Sequence, residues 1–187
     1  MRLPIAVVLL AAATTLHAQS HTYAITKGGN NVASFHAEDT YDSFDGKTSD
    51  LSGTIVADPA NPAAASVQVT INVDALDTGV GLRNKEMRER YLETNKFGNA
   101  TFKSVSVTGP PSIAPNQPAD INVTGDMTLH GVTKRMTISV HVVLTPDGIH
   151  ATTTFKIHMP DFGISVPHNI LVTVNNEVPV KLDVWAK

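Results

Sequence analysis

The sequence predicts an all-β fold with antiparallel neighbours. Three observations carry this. Apolar and polar side chains alternate with a period of two in four separate stretches. Two short X-Gly links join such stretches so that their apolar sets land on one face. Only one segment breaks the pattern with helical spacing. About eight strands with one apolar face apiece leave two solutions, a closed barrel and a two-sheet sandwich.

Taken in order, the chain begins with a short positive region, Met1-Arg2, and an apolar run over residues 3–13. A polar stretch follows and ends at Leu16-His17-Ala18. This is the grammar of a secretory signal peptide, so residues 1–18 are expected to be a leader and 19–187 a single domain. The apolar run falls short of the ~20 residues a membrane-spanning helix needs, so no stable membrane insertion is expected. Strands are expected over 22–25, 32–39 and 46–57. Val67, Val69, Ile71 and Val73 alternate with Gln68, Thr70 and Asn72, which marks the next strand. Residues 82–92 carry Arg83, Lys85, Glu86, Arg88, Glu89 and Arg90 around a sparse stripe of Leu82, Met87 and Tyr91, which reads as a short surface helix. Residues 100–108 form a strand, and Pro110, Pro111, Pro115 and Pro118 make the following segment a loop, as does 58–62.

The later strands can be tested in register. Ile121, Val123, Met127 and Leu129 form one apolar set, and Met136, Ile138, Val140, Val142 and Leu144 another. A two-residue turn at His130-Gly131 places Leu129 opposite Val132, Gly125 opposite Met136 and Val123 opposite Ile138. A turn at Asp147-Gly148 would place Leu144 opposite Ala151 and Val140 opposite Phe155. Val178, Val180, Leu182 and Val184 supply the last strand. The shared inward face is therefore Phe35, then Val69 and Ile71, then Phe102, with Val123, Met127 and Leu129. It continues through Met136, Ile138 and Val140 to Phe155 and Ile157, and ends with Leu182 and Val184. Lys134, opposite Met127, falls on the same phase near the hairpin end.

Composition excludes several functions. No cysteine is present, which removes thiol nucleophiles, redox CxxC motifs and disulfides. A net charge of −3 offers no basic field, and aromatic residues at 5% offer no stacking platform, so no nucleic-acid partner is expected. Of the eight histidines none shows the spacing of a metal site, and they are expected to be solvated surface groups, with no metal and no cofactor. GxSxG is absent, and the carboxylates fall in turns or on polar phases. Nothing rises to a catalytic motif, so no enzyme is expected. Scarce aromatics also deny an outer-membrane barrel its girdles.

The stretch 124–134, Thr-Gly-Asp-Met-Thr-Leu-His-Gly-Val-Thr-Lys, resembles the signature hairpin of the YceI-like family. Gly46 and Leu51-Ser52-Gly53-Thr54-Ile55 resemble its second hairpin region. Thr78-Gly79, Arg83-Asn84-Lys85, Tyr91-Leu92 and Thr101-Phe102-Lys103 resemble its central helix and next strand, and Asp161-Phe162-Gly163-Ile164 its late turn. Two departures stand out. Met159-Pro160 occupies the place of an Arg and a polar residue in relatives, and Glu86 that of a His.

The resemblance implies an eight-stranded, lipocalin-like antiparallel barrel, secreted or periplasmic, that holds an isoprenoid or other lipid-like ligand in an apolar cavity. The inward set then becomes the cavity wall, and Lys134 a contact for an anionic headgroup. A homodimer is compatible with it. Two other readings remain open on the residues alone: a small hydrolase or isomerase on the same barrel, and a β-sandwich adhesion or sugar-binding module.

Overall fold

The computed structural model describes residues 19–167 and 174–187; the expected leader lies outside the described residues. Alternating stretches become ten strands: β1 (His21–Ile25), β2 (Val32–Glu38), β3 (Ser43–Thr48), β4 (Leu51–Ala57), β5 (Ser66–Asn72), β6 (Asn99–Thr108), β7 (Pro118–Leu129), β8 (Val132–Thr145), β9 (Gly148–His158) and β10 (Glu177–Ala186). Neighbours pair antiparallel in the order β1-β4-β5-β6-β7-β8-β9-β10, and Ile25 opposite Ala186 joins β10 back to β1. That closes an eight-stranded ring. The remaining pair, β2 and β3, continues β1 and β4 along the same hairpin, with β2 lying on β10 from Val32 opposite Asp183 to Phe35 opposite Val180. Two of the eight barrel strands are thus interrupted, at 26–31 and 49–50. Asn31, 4% exposed, staples the first break: its amide donates to the Thr26 carbonyl at 2.7 Å and accepts from Trp185 N–H at 2.6 Å. A closed barrel leaves no strand edge unpaired around the ring.

The β7–β8 hairpin turns at His130 (φ 50°) and Gly131 (φ 74°), the left-handed pair that a type I′ turn requires. Its register is the expected one throughout, with Leu129 opposite Val132, Gly125 opposite Met136 and Val123 opposite Ile138. The β8–β9 register differs from expectation by two residues: Leu144 faces Ile149 and Val140 faces Thr153. Pro146 explains the shift. Its fixed φ suits the first central position of a turn, so Pro146-Asp147 forms the tip and Gly148 (φ 146°) follows it. A two-residue slip preserves side-chain parity, so the inward face survives. In β6 the register shifts between Ser104 and Ser106, which leaves Val105 57% exposed and returns Val107 to the interior.

The expected helix is α1 (Gly81–Glu86) running into a π-helical turn, Met87–Tyr91. Met87 and Tyr91 face inward, whereas Leu82 is 71% exposed and does not join their stripe. Five residues at ~100° each carry Leu82 well off the face of Met87. This helical segment lies at one end of the barrel, together with the β2–β3 and β7–β8 connections and the described residues 159–167 and 174–176 between β9 and β10. The opposite end holds residue 21, the 58–65 and 109–117 segments, the β8–β9 turn and Lys187.

Candidate functional site

A cavity of about 600 Å³ runs between the two ends, lined mainly by the apolar faces of the strands. Its size lies in the range usual for small-molecule sites. Of the inward set, Phe35 comes from β2, Val69 and Ile71 from β5, and Phe102 from β6, all on the wall. Val123, Met127 and Leu129 of β7 and Ile138 and Val140 of β8 line it too, as do Phe155, Ile157, Leu182 and Val184 of β9 and β10. Polar wall groups along the strands are confined to hydroxyls such as Ser34, Thr101 and Thr153.

Two expected residues stand elsewhere. Met136 is half-buried and packs against the cluster that holds Phe102, Ile138 and Phe162, but it is not part of the wall. Lys134 is corrected: its side chain is exposed and its Nζ lies 3.8 Å from Asp161 Oδ2. The ammonium finds a carboxylate and water outside the barrel, which an apolar interior could not supply.

The cavity reaches solvent at the helical end, where its wall includes the exposed Glu86 and Arg90 beside Asp39 and Arg83. Arg83 is fixed there. Its Nε donates to Thr78 Oγ1 at 2.9 Å, its Nη2 donates to the Thr78 carbonyl at 2.8 Å, and its guanidinium lies 4.0 Å over the Phe44 ring. Asn84 completes the clamp: its Oδ1 accepts from Thr78 N–H and Oγ1, and its Nδ2 donates to Asp77 Oδ1 at 2.6 Å. The Gly79 N–H and then Asn84 hold the Asp77 carboxyl below the usual range. The Tyr41 and Asp42 N–H groups do the same for Asp39, helped by the field of Arg83. These contacts give a physical role to the Thr78-Gly79 and Arg83-Asn84 pattern. Both departures lie here: Glu86 and Met159 line the cavity, while Pro160 is exposed.

The signature turn acts as a strut. His130 is not a solvated histidine as expected, since its side chain is only 11% exposed. Its Nδ1 lies 3.2 Å from the Phe162 carbonyl and its Nε2 3.2 Å from Glu93 Oε2, with Phe97 packed edge-on. The late turn is thereby joined to the segment after the helix. Four histidines of the strands pair with carboxylates on the outer surface, His36 with Asp45, His141 with Asp120, His150 with Asp183 and His158 with Asp161, while His21 of β1 is exposed with its ring beside Tyr23. Among the described residues no group of three or more His, Asp and Glu could hold a metal ion.

The opposite end is roofed. The Ile113 N–H donates to the Pro59 carbonyl and the Asn116 N–H to the Leu144 carbonyl, tying the two loops to each other and to β8. Pro59, Pro62 and Ile113 line the cavity beneath this roof with Asp58, and all four are buried or half-buried. Loop residues of this kind escaped the alternation, which reads strands alone. The Met87–Tyr91 spacing was the one signal in the sequence for a helical wall.

The sequence profile of the YceI-like domain matches residues 23–186. A UPF0312 protein of Shewanella sp. (strain W3-18-1) is 37% identical over 130 residues, covering 65% of this chain and 64% of its own length. Protein YceI of Escherichia coli O17:K52:H18 is 39% identical over 99 residues, 52% of this chain and 48% of that protein. The chain therefore spans less than two thirds of these relatives. Among solved structures, BcnA of Burkholderia cenocepacia superposes with a TM-score of 0.71 at 23% identity, covering 82% of this chain and 94% of that one. A polyisoprenoid-binding domain from Saccharophagus degradans gives 0.69 at 18% identity, covering 88% and 97%. These likenesses place the barrel in a known architecture, and the profile match over nearly all the described residues shows that the chain belongs to the YceI-like domain family.

Proposed function

We propose that this protein carries or sequesters a long apolar chain, of the isoprenoid class, in the barrel cavity. One observation carries the reading: among the described residues the wall is apolar along the strands, with titratable groups only at the two ends. Such a cavity offers nothing to transform a ligand midway and much to shield it. Removing apolar surface from water is favourable by ~25 cal/mol per Å², which is the driving force for uptake. The polyisoprenoid-binding description of the Saccharophagus domain supports this ligand class. Tyr41 and Leu82, 75% and 71% exposed, flank the open end and give a chain an apolar step on its way in.

A carrier of this kind works where lipid must cross water, so we place it in the periplasm or outside the cell, with residues 1–18 as a leader removed after Ala18. The intact mass of protein recovered from the periplasmic fraction of the producing bacterium tests this; a chain still starting at Met1 would refute cleavage.

Native mass spectrometry followed by lipid extraction tests the carrier role. Recovery of a stoichiometric prenyl lipid is expected. Ala151 lines the cavity, and Ala151→Phe should lower lipid occupancy at least tenfold while the barrel stays folded. Undiminished occupancy in that variant would remove the cavity as the binding place.

A further inference from the structure

We infer that the rim of the open end docks on a zwitterionic lipid surface, of the phosphatidylethanolamine kind, without crossing it. The inference rests on the carrier reading for its purpose: a long apolar chain is collected from, or returned to, a membrane. Among the described residues four large apolar side chains are exposed, Tyr41, Val80, Leu82 and Val105, and the first three belong to this rim. Tyr41 sits in the β2–β3 turn, and Val80 and Leu82 stand at the start of the helical segment. The two pieces are joined. Lys47 and Asp77 exchange main-chain hydrogen bonds at 3.0 and 2.9 Å, and the Arg83 guanidinium covers the Phe44 ring. Exposed apolar side chains gathered on one rim mark an interaction surface. A Tyr suits the boundary of a bilayer, with its ring on the apolar side and its hydroxyl on the wet one.

The charges beside these side chains select the partner. Lys85, Glu86, Glu89 and Arg90 are all exposed, and among the described residues none of the four has a hydrogen bond or an ion pair. Two free cations and two free anions thus share one short helical segment. A zwitterionic headgroup brings a phosphate to the first and an ammonium to the second. An anionic surface would match only the cations, and it would meet Asp39 and Asp42 of the turn on a chain of net charge −3. Continuity with the cavity favours lipid over a protein partner. Glu86 and Arg90 line the mouth itself, so a chain leaving a bilayer held against this rim enters the barrel without crossing water. The contact is peripheral, since no helix among the described residues is long and apolar enough to cross a membrane.

The test floats the purified protein with vesicles of phosphatidylethanolamine and phosphatidylcholine. Wild-type protein should rise with them, and Tyr41→Ser combined with Leu82→Ser should lower the partition coefficient about tenfold or more. Both changes fall on exposed side chains, and the Tyr41 main-chain N–H that donates to Asp39 is kept. Val105→Ser, which removes an exposed apolar side chain of β6 outside the rim, should float like the wild type. Replacing part of the zwitterionic lipid by phosphatidylglycerol should weaken flotation. Wild-type protein that fails to rise at every lipid concentration would overturn the inference. So would flotation that survives the double variant, or flotation that requires phosphatidylglycerol. Self-association lost in the double variant, without flotation of the wild type, would assign the rim to a second copy of the chain instead. None of these readouts uses the cavity, so the carrier reading stands or falls separately, on the lipid recovered in native mass spectrometry.

Discussion

Gly125 shows how a single residue sets the cavity wall. It lies on the inward phase opposite Met136, where the sequence suggests room for that side chain. The room is used from the other side: a Cβ at this position would meet Phe102 Cζ at 2.5 Å and the Lys103 carbonyl at 2.6 Å. Backbone cannot yield to it, so Gly125→Val should cost roughly 1–3 kcal/mol by overpacking, read as a lowered denaturation midpoint. Lys134 teaches the opposite lesson. Its pairing with Asp161 is long and both side chains are about half exposed, so Lys134→Ala should change stability by less than about 0.5 kcal/mol. Vesicle-free binding of a prenyl phosphate should be unchanged by the same substitution, because the ammonium lies outside the cavity. Parity placed Lys134 on the inward phase correctly as a backbone statement. What parity does not contain is the carboxylate of Asp161, twenty-seven residues on, that draws the side chain out.

At the scale of elements, the helical segment is held by polar contacts more than by its short apolar stripe. Arg83 makes two hydrogen bonds to Thr78 and covers Phe44, and Arg88 Nη2 donates to the Leu76 carbonyl at 2.9 Å. Arg83→Ala should destabilise the protein by roughly 1–3 kcal/mol and speed hydrogen exchange across residues 78–91 more than across β7 and β8. Arg83→Lys should not restore protection, since a Lys lacks the planar fork that reaches Thr78 twice while stacking on a ring. The sequence disclosed the helix through its spacing and the Arg83-Asn84 pattern through family likeness, but the partner at Thr78 needs the fold. The hairpin at His130-Gly131 was legible to the residue because a two-residue link and two apolar sets agree on one register. The β8–β9 turn was not, because Asp-Gly and Pro-Asp compete within four residues and parity accepts either. Closure of the barrel, made by Ile25 against Ala186, joins the two ends of the domain and leaves no local trace in the chain.

For the molecule as a whole, the charges held by hydrogen bonds are unevenly placed. Asp39, Asp77, Glu93, Asp161 and Glu177 all belong to the helical end, and the carboxyl of each is kept below its ordinary range. For Asp39 and Asp77 the main causes are backbone N–H groups; for Glu93, Asp161 and Glu177 they are Lys96, His158 and Lys156. A depressed carboxyl stabilises the fold fully above its ordinary value, 3.8 for Asp and 4.5 for Glu, and that contribution fades as pH falls through the lower folded value. His36 has the opposite sign: Asp45 raises it above 6.5, so its contribution is complete below that pH and is lost as pH rises through the folded value. Acid therefore weakens the end where the cavity opens, while the roofed end is tied by backbone hydrogen bonds between loops that do not titrate. Ligand-loaded protein titrated downward from pH 5 should release its chain below about pH 4 before the barrel's far-ultraviolet dichroism is lost. Asp77→Asn should move the release midpoint toward higher pH, because an amide accepts the Gly79 N–H less strongly than a carboxylate does. Coincident release and unfolding at every pH would mean that the open end and the strands melt as one unit.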